Sequence, residues 1–447
     1  MRLLAIALSV LAGIALAVPR ALAQERPAEL SLERAIDLAL ESNRPARIAA
    51  LAEDRADDEI EALRTRRLPT FDLKVLEGGF LSPLEFSFQQ GSLGTYPATG
   101  PIPFADITVN SPRRLATGIM FGAVQPLTQL RTIAQGEKLL ALGRDVAAEQ
   151  TRGERQKLVA EVKRAYYGLQ QTRAGLVAVD AASRQLEELE RVVGSYVEAE
   201  VALPGDHLAV RTEQSRLALQ RLTLQNLDAT LMERINVLIG RDLTITFEVP
   251  ELPAASSVPD LTGAIAQAKA SRPEVREAGL NAERATEDRR LQQLERTPDV
   301  SLAFSYLRTF NVDVVPHNVA AAGVIVSWEP FDWGRRRFEG DAKVRTLEQA
   351  RLGVEEAAAL VELDVRVKHR TLVETRERLG LRTLERDTAA ERLRVATDRY
   401  RVEASLLRDV LEAETALATA VQNYQQALGE FWTALAEFEQ SIGDDRP

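Results

Sequence analysis

The side chains best suited to chemistry in this chain are arginines and carboxylates, and neither kind is arranged for making or breaking bonds. Arginines cluster at Arg64, Arg66 and Arg67, at Arg113 and Arg114, and from Arg335 to Arg337. Each cluster flanks a segment that reads as a β-strand. Guanidinium forks bind phosphates bidentately, so anionic lipid or lipopolysaccharide phosphates are expected partners, with solvated surface arginines as the alternative reading. The three histidines, His207, His317 and His369, are far apart. No HExxH, P-loop, GxSxG or dinucleotide fingerprint occurs. Cysteine is absent, which excludes disulfides, thiolate catalysis and cysteine-linked lipid anchors. The many carboxylates lie on helix faces among arginines, where i,i+4 pairing explains them. The expectation is therefore no enzyme, no metal site and no cofactor.

The elements that carry these charges occur twice. Ala35-Ile36, Ser42, Pro45, a charged helical stretch, Leu68-Pro69 and Phe71-Asp72-Leu73 return as Ala264-Ile265, Ser271, Pro273, a charged helical stretch, Thr297-Pro298 and Val300-Ser301-Leu302. Gln125-Pro126-Leu127 is answered by Glu329-Pro330-Phe331, Tyr196 by Tyr400, and Ile239-Gly240 by Ile442-Gly443. A repeat of this length points to a pseudo-symmetric assembly. The expected organisation is a leader over 1–23, a first repeat over 24–240, a linker over 241–259 and a second repeat over 260–447.

No proline occurs between Pro126 and Pro204 or between Pro330 and Pro447. In the second window, positions 344, 347, 351, 354, 358, 361, 365, 368, 372, 375 and 379 step by three and four and are mostly apolar, the pattern of a coiled-coil seam. Long helices are predicted from about Trp333 to Tyr400 and from about Thr128 to Tyr196. Helices of that length must pack on one another or on other subunits. Each turns back, near Ala199–Asp206 and near Arg401–Leu406. The return helices run to Gly240 and Gly443, residues suited to a helix C-terminus.

Strands are predicted where Phe71, Leu73 and Val75 alternate with Thr70, Asp72 and Lys74, and where Leu302, Phe304 and Tyr306 alternate with Ser301, Ala303 and Ser305. Their partners are expected at Leu115–Gln125 and Val319–Glu329. The Gly-, Pro- and aromatic-rich stretch from Leu81 to Pro112 is expected to be a long outward loop. Four strands cannot close a membrane barrel. Either they form a small soluble sheet, or several chains pool them into one closed barrel. Aromatics near the strand ends (Phe71, Phe80, Trp328, Phe331 and Trp333) favour the barrel, because such residues gather at bilayer interfaces.

The start of the chain reads as an export signal: Arg2, an apolar run from Leu3 to Val18, and Ala21-Leu22-Ala23 before Gln24. No later stretch is apolar enough for a membrane helix, so membrane insertion requires a barrel. The formal charge is −10, and loss of Arg2 and Arg20 with the leader takes it to −12. That acidity disfavours nucleic acid as a partner.

Taken together, the duplicated entry, the Leu-Pro before the first strand, the Gln-Pro-Leu exit, the two long hairpins and the Tyr400…Asp409-Val410-Leu411-Glu412-Ala413 segment resemble the outer-membrane factor family, the TolC-like channels. The resemblance covers nearly the whole chain after the leader. It implies a mixed, mainly α fold in which a homotrimer makes a twelve-stranded membrane β-barrel, continued by an α-helical periplasmic barrel. The implied function is a passive outer-membrane duct for efflux or type I secretion. A periplasmic adaptor would join it to an inner-membrane transporter. By the same resemblance Asp409 and Glu412, which share a helix face at i and i+3, form stacked acidic rings at a periplasmic gate, with Asp206 the equivalent acid of the first hairpin and Tyr400 helping to close the mouth. A solvated helix face and a buried seam tyrosine are the bland alternatives. Ser405 stands where the family carries a basic gating residue, for which Arg408 is the substitute. The adaptor-docking tips are expected at Val201, Ala202, Leu203, Ser405 and Leu406, with the first turn one residue longer than the second. The rival architecture is a soluble periplasmic coiled-coil adaptor or scaffold, which leaves the four strands unexplained.

Overall fold

The computed structural model describes residues 29–79, 84–111, 115–200, 203–311, 316–402 and 404–444. The predicted leader, Phe80, Arg113, Arg114, Val201 and Ala202 lie outside these. Helices α1 (Leu32–Ser42) and α2 (Arg44–Thr65) lead into a β segment of six strands: β1 (Thr70–Gly79), β2 (Leu84–Phe88), β3 (Thr95–Tyr96), β4 (Gly100–Pro101), β5 (Ile107–Ser111) and β6 (Leu115–Pro126). The hairpin α3 (Gln129–Glu198) and α4 (Pro204–Leu238) follows. The second half runs α5 (Leu261–Ser271), α6 (Pro273–Leu294), β7 (Asp299–Phe310), β8 (Asn318–Ser327), α7 (Arg335–Arg401) and α8 (Leu407–Ser441).

The repeat is metrically close. α1 and α5 each have 11 residues, α2 and α6 each 22, α4 and α8 each 35, and α3 and α7 have 70 and 67. Local chemistry sets these boundaries. The Asn43 side chain accepts from the Ala46 amide at 3.2 Å at the start of α2, and Asp260 accepts from the Gly263 amide at 2.9 Å at the start of α5. Proline opens α2 and α6, where its missing N–H costs nothing. Gly240 and Gly443 follow α4 and α8 at φ +69° and +71°, the left-handed stop of a helix.

The chain divides into two compact units. One holds the described residues up to Leu38 with Ala165–Ala254 and Leu384–Gly429; the other holds Ala39–Arg164, Ala255–Thr383 and the residues from Glu430 on.

In the second unit the four long strands form one antiparallel sheet in the order β1-β6-β7-β8. The long loop expected over 81–112 contains, over its described residues 84–111, two antiparallel ribbons, β2 with β5 and β3 with β4. Alternation in Leu84–Phe88 and Ile107–Ser111 is short and interrupted by turn residues, which hid it. The upper part of the α7 seam is only partly covered. Leu347 is buried but Val344 is exposed, whereas Val361, Val365, Leu372, Thr375 and Leu379 are all buried. Where α8 packs on α3 and α7, charges enter the contact in pairs. Lys163 is nearly buried and meets Glu439 at 2.9 Å, and Lys368 meets Glu437 at 2.5 Å. An ammonium that far from water needs its carboxylate, because removing one partner leaves an uncompensated buried charge.

The end of α8 is tied to the α5–α6 elbow. Ser271 Oγ donates to the Ile442 carbonyl at 2.8 Å, and the Arg272 guanidinium to the Gln440 carbonyl at 2.9 Å.

In the first unit Val179, Leu186 and Leu217 form a core joined by Leu189, Leu224 and Leu411. α4 packs on α3 beside Gly168 and Gly175, where an added Cβ would meet Leu231 or Leu224 at ordinary contact distance, 3.6 or 3.4 Å. The linker after α4 is strapped to α3. The Arg173 guanidinium donates to Asp228 and to the Phe247 carbonyl, each at 2.9 Å, and Gln170 donates to the Pro250 carbonyl at 2.8 Å. Tyr166 is fully buried and donates to the Leu30 carbonyl at 2.7 Å. Burial pushes its phenol up to about 12.

Gly443 tests the α8 terminus. Its φ is +71°, and a Cβ there would sit 2.6 Å from Ser271 Oγ. Gly443→Ala is expected to destabilise the fold by about 1–3 kcal/mol, read as a lower thermal unfolding midpoint of the purified protein. An unchanged midpoint refutes the tie.

Candidate functional site

Two surfaces hold the predicted functional residues, and each is built by register or capping. The first is the sheet. Residues directly opposite in an antiparallel pair share a face, so the register extends the alternation of β1 across all four strands. Leu73 pairs with Phe121 and Phe121 with Tyr306, while Phe304 pairs with Ala322 and Leu302 with Val324. One face therefore carries Phe71, Leu73, Val75, Ile119, Phe121, Leu302, Phe304, Tyr306, Val324 and Val326. The other carries Asp72, Lys74, Gly118, Gly122, Ser301, Ala303, Ser305, Ala321 and Gly323, with Leu76, Met120, Val124, Leu307, Val319 and Ile325 set among them.

The apolar face is bare. Phe71 and Leu73 are each 68% exposed and Val326 is 62% exposed. A half-buried soluble sheet would have covered these side chains. Phe71 stacks on Phe121, and Phe121 meets Phe304 edge-on, so aromatic surface is continuous across the strands. Beyond β8 the exposed Trp328, Phe331 and Trp333 form an aromatic patch, with Phe331 and Trp333 in edge contact at 4.7 Å.

The flanking arginines are largely spoken for. Arg64 and Arg67 converge on Glu137, the latter at 2.6 Å. Arg335 and Arg336 converge on Glu329, at 2.5 and 3.5 Å. These guanidinium groups thus offer less free charge to phosphates than their clustering suggests.

The second surface is the pair of hairpin turns. Asp206 and Asp409 both occupy the third position of their return helices. Each carboxylate accepts the amide of the residue preceding the helix, Leu203 at 3.1 Å and Leu406 at 3.2 Å. This is the acidic half of a capping box, placed where the positive end of the helix dipole favours negative charge. Both acids therefore start a helix in addition to any role at a mouth. Glu412, one turn further on and exposed, is 3.5 Å from Arg408, which also lies 4.0 Å from Asp409. Arg408 thus spends its charge on the two acids of its own helix.

Tyr400 is half-buried. Burial raises its phenol above the ordinary tyrosine range, and the negative charges of Tyr196 and Asp206 add to the rise. The structure therefore brings Tyr400, Tyr196 and Asp206 into one neighbourhood. Ser405 donates its hydroxyl back to the Ala396 carbonyl at 3.4 Å and so braces its own turn. Leu203 and Leu406 are 72% and 65% exposed at matching positions. Val201 and Ala202 lie outside the described residues.

The turns themselves are equal in length, 199–203 and 402–406. The longer first turn expected from the sequence came from aligning Tyr196 with Tyr400, which stand two and one residues from their helix ends. One cluster at the first turn was not foreseen. Glu190 on α3 faces His207 at 3.3 Å and accepts from Gln214 at 2.8 Å. These partners are too distant in sequence to have left a local signal. Among the described residues no group of His, Asp and Glu comes together as a metal-ligand set. No described helix is long and apolar enough to cross a membrane.

Residues 264–444 match the outer membrane efflux protein family. The fold is that of solved outer-membrane channels. OprN is similar at 18% identity and TM-score 0.74, over 93% of this chain and 91% of that one. CusC is similar at 14% identity and TM-score 0.74, over 93% of each chain. The open-state MtrE channel of Neisseria gonorrhoeae is similar at 17% identity and TM-score 0.71, over 92% of this chain and 88% of that one. No curated protein matches the chain significantly by sequence. The match to the family model thus falls on the second half of the chain, and the fold of the whole chain is similar to that of TolC-like channels.

Two outcomes follow from the turn geometry. Asp206→Ala and Asp409→Ala should each loosen the first turn of its return helix by about 1 kcal/mol, seen as faster amide exchange at Leu203 and Leu406 respectively; unchanged exchange would exclude the capping role. In an ultraviolet pH titration, the component lost in Tyr400→Phe should ionise above the pH of free tyrosine. Ionisation at the free-tyrosine pH would place the phenol in open solvent.

Proposed function

We propose that three copies of this chain pool their sheets into a twelve-stranded barrel in the outer membrane and form a passive efflux or secretion duct. The observation that carries this reading is the apolar face running across all four strands, exposed on β1 and over much of β7 and β8, backed by a face on which small and polar residues outnumber large apolar ones. A lipid-facing barrel has this alternation, apolar outward and polar inward. The two open strand edges need partners as well, since unpaired backbone is not tolerated in hydrocarbon. Four strands per chain and a barrel minimum of about eight strands require more than one copy, and the channel fold of the relatives supports three.

In this reading the long hairpins line a periplasmic passage whose mouth is set by Asp206, Tyr400, Asp409 and Glu412. Repeated around an axis, Asp409 and Glu412 make two acidic rings that concentrate cations. The exposed Leu203 and Leu406 offer apolar contacts to a periplasmic adaptor, which links the duct to an inner-membrane transporter. The transporter selects the cargo.

Purified protein in a planar bilayer should form discrete pores, and current from neither wild type nor a variant with the mouth residues truncated would sink the reading. Asp409→Ala with Glu412→Ala should weaken block by multivalent cations at least several-fold. Unchanged block would remove both acids from the mouth.

A further inference from the structure

A cavity of about 270 Å³ lies within the first unit, between α3, α4 and α8. Its largest walls are Leu217, Leu224 and Leu417. Neutral amides from all three helices rim it, and one of them, Gln220 on α4, donates to Gln422 on α8 at 2.8 Å. Glu414 is the one ionisable side chain among the described residues that line it. The nearby charged pairs Asp180–Arg221, at 2.8 Å, and Arg173–Asp228, at 2.9 Å, close on themselves and do not line the cavity.

The other acids of α8 make this one stand out. Asp409 caps the helix, Glu412 meets Arg408, Glu430 meets Arg378, Glu437 meets Lys368 and Glu439 meets Lys163. Glu414 has no such partner among the described residues, and burial alone raises its carboxyl above the ordinary range. A carboxyl turned into a leucine-walled space is costly unless a cation or a proton neutralises it. An anion would be repelled, and a neutral apolar molecule would meet the walls but not the carboxylate. A molecule that is both apolar and positively charged satisfies walls and carboxylate together, in place of the proton.

We propose that this cavity is a binding site for a small amphiphilic monocation, with its apolar body against Leu217, Leu224 and Leu417 and its charged head on the Glu414 carboxylate. The volume is at the lower end of the range of about 300–1,000 Å³ typical of ligand pockets. It therefore suits a benzyl- or short alkylammonium ion rather than a drug-sized molecule. Binding displaces the proton that burial favours on Glu414, so affinity rises as pH increases through the elevated carboxyl range.

The test is calorimetric titration of benzyltrimethylammonium into the purified full chain in a neutral detergent, beside its uncharged isostere neopentylbenzene. Wild type should bind the cation at least tenfold more tightly than the isostere. Glu414→Gln should lose at least tenfold for the cation alone, Leu417→Trp should lose both ligands by filling the space, and Glu391→Gln, an exposed acid on α7, should match wild type. Equal affinity for cation and isostere in wild type, which involves no variant, overturns the proposal. So does unchanged cation affinity in Glu414→Gln, or no binding at millimolar concentration. Conductance is a separate readout, so a negative result here leaves the duct reading standing.

Discussion

An antiparallel sheet of four strands has two open edges, here β1 and β8, and each presents a row of backbone donors and acceptors with no strand partner among the described residues. In water such an edge is an invitation to aggregate. In hydrocarbon it is untenable, because an unsatisfied peptide group there costs several kcal/mol. Covering the edges with a loop or helix would rescue a soluble sheet, yet the ribbons between β1 and β6 pair with themselves instead. The apolar face is equally uncovered. The proposed closure with other copies inside a bilayer would satisfy edge and face together. A soluble coiled-coil scaffold accounts for the hairpins and leaves this sheet without a role.

The helices follow a different economy. Apart from Glu414, the charges described at their interfaces come in matched pairs, and the depth of each pair follows the packing. Near the end of α8, Lys163 and Lys368 reach carboxylates across helix contacts, whereas near its start Asp409 serves the backbone. One helix thus uses acids as a cap, as surface partners and as buried counter-ions. Identical residue types do unlike work because their surroundings differ in access to water.

Much of the architecture was legible because it rests on short-range regularities. Strand alternation at Phe71–Val75 and Leu302–Tyr306, proline-free stretches for the long helices, and paired Pro and Gly at helix ends all act within a few residues. The duplication then let one half check the other. What stayed hidden depends on contacts between distant segments. The ribbons of 84–111 have strands too short to show a period. The Glu190–His207 contact and the isolation of Glu414 exist only once separate helices are packed. The acids at the turns were legible as chemistry but not as caps, since a carboxylate three residues into a helix is equally at home in solvent. The ion pairs of the clustered arginines were hidden in the same way, because Glu137 and Glu329 meet them only in the folded chain.

The equal length of the two hairpin turns has a consequence for recognition. Both connections span five residues, and both deliver a leucine followed three residues later by a capping aspartate. The described side chains beside them differ: Pro204 and His207 beside one, Arg408 and Val410 beside the other. In the proposed threefold ring, a partner that reads only the leucine and the capping aspartate meets six similar seats. One that reads the neighbouring side chains meets two sets of three. In that reading a single docking motif can engage the same rim at two stoichiometries, and the choice between them belongs to the partner.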